Sequence, residues 1–308
     1  MQKKIDLKPN QSKWIFLVTL AFLWGSSFIL IKKGLVGFTP LQLTALRVLI
    51  CGLFLGMIGF RKIKQIQKHQ WKWIVISGFI GTMLPTLLFS IAETEIDSAI
   101  ASILNSTVPL LALITGVLFF SRQFFKKQFI GVVIGLVGSV LLILAGASLN
   151  PNQNYWFATL PVIASLMYAF NANILKTYLE DISALGIATG SFLVLIPFAL
   201  GILGVTGFFE ADFLAQEAVQ TSLLYVAILA LLGTALAKII FNRLIQLSNP
   251  VFSTSVTYLI PVVALFWGYL DGEEFNLFQL AAGSVILLGV YISNRKKKEK
   301  KTQSLEKA

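Results

Sequence analysis

Two cations stand where cations are costly. Arg47 and Lys238 lie inside long apolar stretches of the chain, and an ionised side chain near the centre of a bilayer helix costs about 2.5–3.5 kcal/mol on insertion scales. Lipid cannot satisfy such a group. Buried positive charges of this kind can attract an anion. Lys238 belongs to a polar line, Thr234, Lys238 and Asn242, spaced at four residues and therefore on one helical face. It stands near one end of its stretch, so its ammonium either meets a ligand or snorkels toward the interface and the helix-end carbonyls.

Neutral hydrogen-bonding groups are patterned in the same way. Ser98, Ser102, Asn105 and Pro109 follow one another at steps of four, three and four, again one face of a helix. Tyr168 and Asn171 share a face while Asn173 points elsewhere, and Thr254, Thr257, Tyr258 and Pro261 form a further set. Trp24-Gly25-Ser26-Ser27-Phe28 mixes small residues with aromatics, which suits either helix packing or the wall of a cavity. No Asp or Glu lies deep in an apolar stretch. A site with that balance accepts a carboxylate or a zwitterion sooner than a lipophilic cation.

Catalytic chemistry is missing from the same inventory. The one histidine, His69, sits in a basic segment, and Cys51 is the one cysteine, so an intramolecular disulfide is excluded. There is no Walker lysine motif, no H-E-x-x-H and no paired-cysteine motif. Glu93, Glu95 and Asp97 are close in sequence but supply too few preorganised ligands for a metal, and read as a solvated acidic loop. The chain is expected to be no enzyme and to carry no cofactor or metal.

The elements that hold these residues follow from composition. Of 308 residues, 56% are hydrophobic and 13% charged, against roughly a quarter charged in soluble chains, and mean hydropathy is +0.80. Ten candidate spans lie near 14–31, 41–60, 73–92, 99–120, 128–147, 155–175, 184–207, 220–243, 250–270 and 276–293, each close to the roughly 20 residues a bilayer helix needs. The first runs on into further spans without a small-residue cleavage site, and reads as a retained helix.

A constant shift of 152 residues aligns Gly81-Thr82 with Gly233-Thr234, Phe89 with Phe241, Pro109 with Pro261 and Gly131 with Gly283. One five-span unit is used twice, and an odd number of spans inverts the second copy relative to the first. Charge agrees. Threaded as ten spans, every lysine and arginine except Lys32, Lys33, Arg47 and Lys238 falls on one side, while Glu93, Glu95, Asp97, Glu210, Asp212, Glu217, Asp271, Glu273 and Glu274 fall on the other. Arg122 aligns with Glu274, so equivalent loops carry opposite sign, as expected of opposite compartments. The expectation is an all-α integral membrane protein of ten transmembrane helices in two inverted five-helix repeats, 1–149 and 150–294, with a basic tail at 295–308. Both termini face the cytoplasm, and the positive charge orients the chain beside the lipid bilayer rather than binding nucleic acid. Gly52-x-x-x-Gly56 and Gly131-x-x-x-Gly135 suit close packing within the chain or in a homodimer.

In order and content these features resemble the drug/metabolite transporter superfamily, and within it the EamA-like family of ten-helix carriers. The resemblance rests on Trp24-Gly25-Ser26-Ser27-Phe28, Pro40 followed by Arg47, the Pro109 and Pro261 segments, and Gly272-Glu273 followed by Gly283. The family's Gly-Glu pair after the fourth span is replaced here by Ser121-Arg122. The resemblance implies a central cavity lined by spans 1, 3, 4, 6, 8 and 9 and alternating access between the halves. On that footing Asn105, Tyr168, Asn171, Thr257 and Tyr258 are expected to shape the substrate site, Trp24 to wall it, and Lys238 or Arg47 to attract a carboxylate. The expected function is a secondary transporter at the cell membrane for a small polar metabolite such as an amino acid, with export favoured. The alternatives are a lipid-modifying membrane enzyme, a channel, or a carrier of nucleotide-sugar or lipid-linked cargo.

Overall fold

The computed structural model describes residues 9–123, 126–147, 154–271 and 277–294. Among the described residues there is no strand. The basic tail and Glu274, whose charge the threading uses, lie outside them.

The helices are α1 (Pro9–Gly34), α2 (Pro40–Ile63), α3 (Trp71–Gly78), α4 (Leu84–Ala92), α5 (Ser98–Asn105), α6 (Val108–Phe119), α7 (Lys126–Ala147), α8 (Thr159–Tyr178), α9 (Ala184–Val205), the short α10 (Ala211–Leu214), α11 (Glu217–Ile228), α12 (Ala237–Leu247), α13 (Pro250–Thr254), α14 (Ile260–Leu270) and α15 (Leu277–Asn294). Joined where they run on, they give eight segments long and apolar enough to cross a membrane, from Ser12–Gly34 to Pro250–Leu270. The protein is therefore a multi-pass membrane protein. Of the ten expected spans, the fifth and tenth coincide with α7 and α15, which pack along one another. Exposed Met57, Leu118, Leu144 and Val205 give the helix exteriors the apolar face that lipid requires.

Four spans are interrupted, and the interruptions come in pairs. A π-helical turn, Phe79–Met83, joins α3 to α4, and another, Leu229–Leu236, joins α11 to α12. They overlap under the 152-residue shift. Proline explains the first: Pro85 has no N–H for the Gly81 carbonyl, and the Leu84 N–H reaches back to Phe79 instead. The other pair are breaks just before Pro109 and Pro261, between α5 and α6 and between the 3-10 turn Ser255–Tyr258 and α14. The polar line from Ser98 to Pro109 is thus not one continuous face. Pro261 likewise leaves the Thr257 carbonyl without a helical donor, and Ser106 Oγ donates to it at 3.0 Å, joining the two breaks across the halves.

Glycine sets the closest helix approaches. A Cβ on Gly52 would lie 2.7 Å from Ile196, and one on Gly59 would collide with Thr189, which is how α2 and α9 pack together. A Cβ on Gly289 would lie 2.4 Å from the Gly135 nitrogen and 2.7 Å from the Gly131 carbonyl oxygen. Both G-x-x-x-G faces therefore meet helices of the same chain.

Ser121 has φ 50°, a left-handed conformation that β-carbon sterics disfavour. The Arg122 N–H, one residue on, caps the Gly116 carbonyl at 3.0 Å, so Ser121 occupies the αL position that usually goes to glycine. Ser121→Gly is expected to stabilise the protein by about 0.5–1 kcal/mol, measured as a higher midpoint in thermal unfolding in detergent.

At one end of the bundle Lys33 and Lys32, closing α1, bond Asp271 at 2.5 and 3.1 Å. The Lys33 hydrogen bond above all holds the Asp271 carboxyl below the usual range, so this exposed link is lost only as pH falls through that depressed value. At the other end Gln246 Nε2 donates to the Ile182 carbonyl at 2.6 Å and Lys176 Nζ to the Gln246 carbonyl at 3.3 Å.

Candidate functional site

Between the halves lies a cavity with about 860 Å³ of space between its atoms, open solvent at its mouth included. Its wall comes from α1, α2, the two π-helical turns, α4, α5, α6, α8, α12, α13, the 3-10 turn and α14. The aligned pairs Gly81/Gly233, Thr82/Thr234 and Phe89/Phe241 all line it. π-turns widen a helix and loosen its carbonyls, so this is where backbone becomes available to side chains.

Each cation bonds across to the π-helical turn of the other half, Lys238 to backbone and Arg47 to a side chain. Lys238, in the second half, is 6% exposed and donates to the Gly81 carbonyl of the first at 2.6 Å, the carbonyl Pro85 leaves free. It does not snorkel: a carbonyl inside the bundle is nearer than the interface. Arg47, in the first half and also 6% exposed, donates through Nε to Thr234 Oγ1. Thr234 in turn donates to the Leu229 carbonyl at 3.0 Å. A guanidinium has five N–H donors and an ammonium three, so these bonds hold each cation on the cavity wall without exhausting it.

The glycines at the turns are needed for space. A Cβ on Gly81 would lie 2.4 Å from Asn171 Nδ2, and one on Gly233 the same distance from Ser27 Oγ. In each case the side chain comes from the opening span of the other half.

The remaining polar wall offers acceptors. Asn105 Oδ1, Asn171 Oδ1 and Thr82 Oγ1 are shut off from solvent with no protein partner. Thr86 gives its hydrogen to the Thr82 carbonyl at 2.8 Å and Thr257 to the Thr254 carbonyl at 3.0 Å, which leaves oxygen lone pairs facing outward from each hydroxyl. Aromatic rings close the site: Trp24 lies 5.1 Å from Phe241, Phe28 5.9 Å from Phe89, and Phe89 6.2 Å from Tyr168.

Trp24, Arg47, Asn105, Tyr168, Asn171, Lys238 and Thr257 are thus gathered on one wall. Tyr258 is not among them. It is fully buried, and its ring is what a Cβ on Gly135 would meet at 2.9 Å, so it faces α7. The 3-10 turn is the reason: at three residues per turn Thr254 and Thr257 eclipse, and Tyr258 falls about a third of a turn away. Asn173 binds the Ala112 carbonyl at 2.9 Å and Thr115 Oγ1 at 3.1 Å, tying α8 to α6. Thr86 was missed by sequence reasoning, although the 152-residue shift places it opposite Lys238.

The acidic loop is corrected too. Glu95 is exposed, but Glu93 Oε1 is shut off from solvent without a partner and Oε2 accepts from Ser98 Oγ at 2.8 Å. Among the described residues no cluster of His, Cys, Asp and Glu could hold a metal.

The sequence profile of the EamA-like transporter family matches residues 12–144 and again 156–295. The chain belongs to the EamA-like transporter family. Among similar proteins, the uncharacterised inner membrane transporter YedA of Escherichia coli K12 is 29% identical over 90% of this chain and 88% of its own. A probable amino-acid metabolite efflux pump of Salmonella typhimurium is 25% identical, covering 88% and 90%. An S-adenosylmethionine/S-adenosylhomocysteine transporter of Chlamydia muridarum is 23% identical, covering 89% of each. A solved crystal structure superposes with a TM-score of 0.71 at 15% identity, over 92% of this chain and 96% of that one, a likeness of fold.

Proposed function

We propose that this EamA-like protein is a secondary transporter that moves a small zwitterionic metabolite, an amino acid or a molecule ending in an amino-acid group, across the cytoplasmic membrane. The observation that carries the reading is the division of the cavity wall. Arg47 and Lys238 supply positive donors, while Asn105, Asn171, Thr86 and Thr257 supply oxygen acceptors. A carboxylate suits the first group and an ammonium the second. Trp24, Phe28 and Tyr168 enclose the carbon skeleton. The reading also suits the names of two relatives, since amino-acid metabolites and S-adenosylmethionine share that head group. One of those names, an efflux pump, favours export.

The architecture behind it is ten transmembrane helices, α7 and α15 completing the eight long apolar segments, in two inverted repeats at 1–149 and 150–294. Paired π-turns and paired proline breaks under one residue shift support that reading, and alternating access follows from exchanging the two halves' conformations. The lysine and arginine distribution puts both termini and the 295–308 tail in the cytoplasm and the Asp271 end of the bundle outside. The chain performs no catalysis, in keeping with relatives named as transporters.

Uptake and counterflow in proteoliposomes, against amino acids and their decarboxylated and N-acetylated analogues, test this. Saturable uptake accelerated by amino acid on the opposite face, and lost when either charged group is removed, is expected. Flux that never saturates would make the protein a channel, and turnover of a lipid would make it an enzyme.

A further inference from the structure

The carboxyl of Glu93 is a titratable group that substrate recognition does not use. Thr82, Thr86 and Phe89 line the cavity, and Glu93 is the next residue on that helical face, its N–H still bonded to the Phe89 carbonyl at 2.9 Å. It therefore sits one turn beyond Phe89, the last residue of that helix to line the cavity, and just past the third span.

Glu93 is half-buried, and its carboxyl is the enclosed part. Oε2 accepts from Ser98 at 2.8 Å, and Oε1 is enclosed by protein without a donor. The charged and titratable groups that face it are Lys32 from α1, Arg47 from α2 and, beside Arg47, Tyr168 from α8. Asp271, past the end of α14, holds Lys32 and Lys33. Glu95 and Asp97 follow it on its own loop. Lys32 thus stands between two carboxylates, one on each side of the seam between the halves.

We propose that Glu93 is a proton-binding site at the outer mouth of the cavity, occupied when that mouth is shut and emptied when water reaches Oε1. With Oε1 enclosed as it is in this structure, burial pushes the carboxyl up to about 8, against the opposing pull of Ser98, Arg47 and Lys32. An open mouth would hydrate it and return it toward the ordinary value of 4.5. Between those values closing takes up one proton. Acid then favours the shut form, and each unit rise in pH lowers the shut-to-open ratio by about tenfold until the group is ionised in both. Ionised Glu93 also competes with Asp271 for Lys32, which loosens the link between α1 and α14. Asp271 itself stays ionised throughout, because Lys33 and Lys32 hold its carboxyl low.

The proposal rests on alternating access at this cavity, and neither readout that tests it needs the substrate, so failure to find transport would leave it standing. Infrared difference spectra between about pH 6 and about pH 9 should show a protonated carboxyl band that disappears near the top of that range and is absent from Glu93→Gln. Spin labels on Val36→Cys and Leu270→Cys, both exposed at the outer end, report the separation of α1 and α14; Cys51 is buried. The longer distance should gain population as pH rises in the parent and in Glu95→Gln, and should not respond to pH in Glu93→Gln. A carboxyl band already lost at about pH 6, or label distances indifferent to pH in the parent, would overturn the proposal.

Discussion

Lys238→Met is expected to reduce affinity for the best amino-acid substrate between about ten- and a hundredfold, with little loss of folded protein. Methionine nearly matches the length of the lysine stem but has no donor. A hydrogen bond to a charged group contributes about 1.5–3 kcal/mol, and every 1.4 kcal/mol is tenfold in binding. Stability moves less because two effects oppose. The Gly81 carbonyl loses its partner, a cost of about 1–3 kcal/mol, but a buried cation is also removed, which is favourable in an apolar interior. Binding isotherms for the amino acid and for its decarboxylated amine separate the two. Only the amino acid should weaken, and an equal loss for both would assign Lys238 to structure alone.

Gly289→Val should be the most damaging single change to stability, about 3 kcal/mol or more, without touching the cavity. The Cβ would sit 2.4 Å from the nitrogen and 2.6 Å from the Cα of Gly135, and 2.7 Å from the Gly131 carbonyl oxygen. Those are backbone atoms, so relief requires α15 to move off α7 rather than a side chain to rotate. In lipid there is little hydrophobic penalty for separating the pair, so close packing supplies most of their affinity. A thermal unfolding midpoint in detergent close to that of the parent would show that α7 and α15 do not depend on this contact.

Span positions, the repeat and the family were legible in the sequence because they rest on local quantities: apolar run length, charge sign and residue spacing. The repeat aligned Gly81/Gly233, Thr82/Thr234 and Phe89/Phe241 by spacing alone, and only the packing shows that all six line the cavity. Pro85 announced a free carbonyl, but not whose donor would find it. Tyr258 went wrong for a local reason that spacing does not reveal. A face drawn at 3.6 residues per turn fails where the helix tightens to 3-10.

By itself the chain determines an apolar, net-positive, twice-repeated membrane protein with cations but no carboxylate deep inside its spans, because each of those properties can be read along the sequence. The pairing of Lys238 with Gly81, of Arg47 with Thr234 and of Ser106 with Thr257 was decided only in three dimensions. So was the enclosure of Glu93, a residue the sequence presents as one of three loop acids. Each depends on which helix of one half lies against which helix of the other, and burial and partner choice are properties of that packing rather than of any single segment.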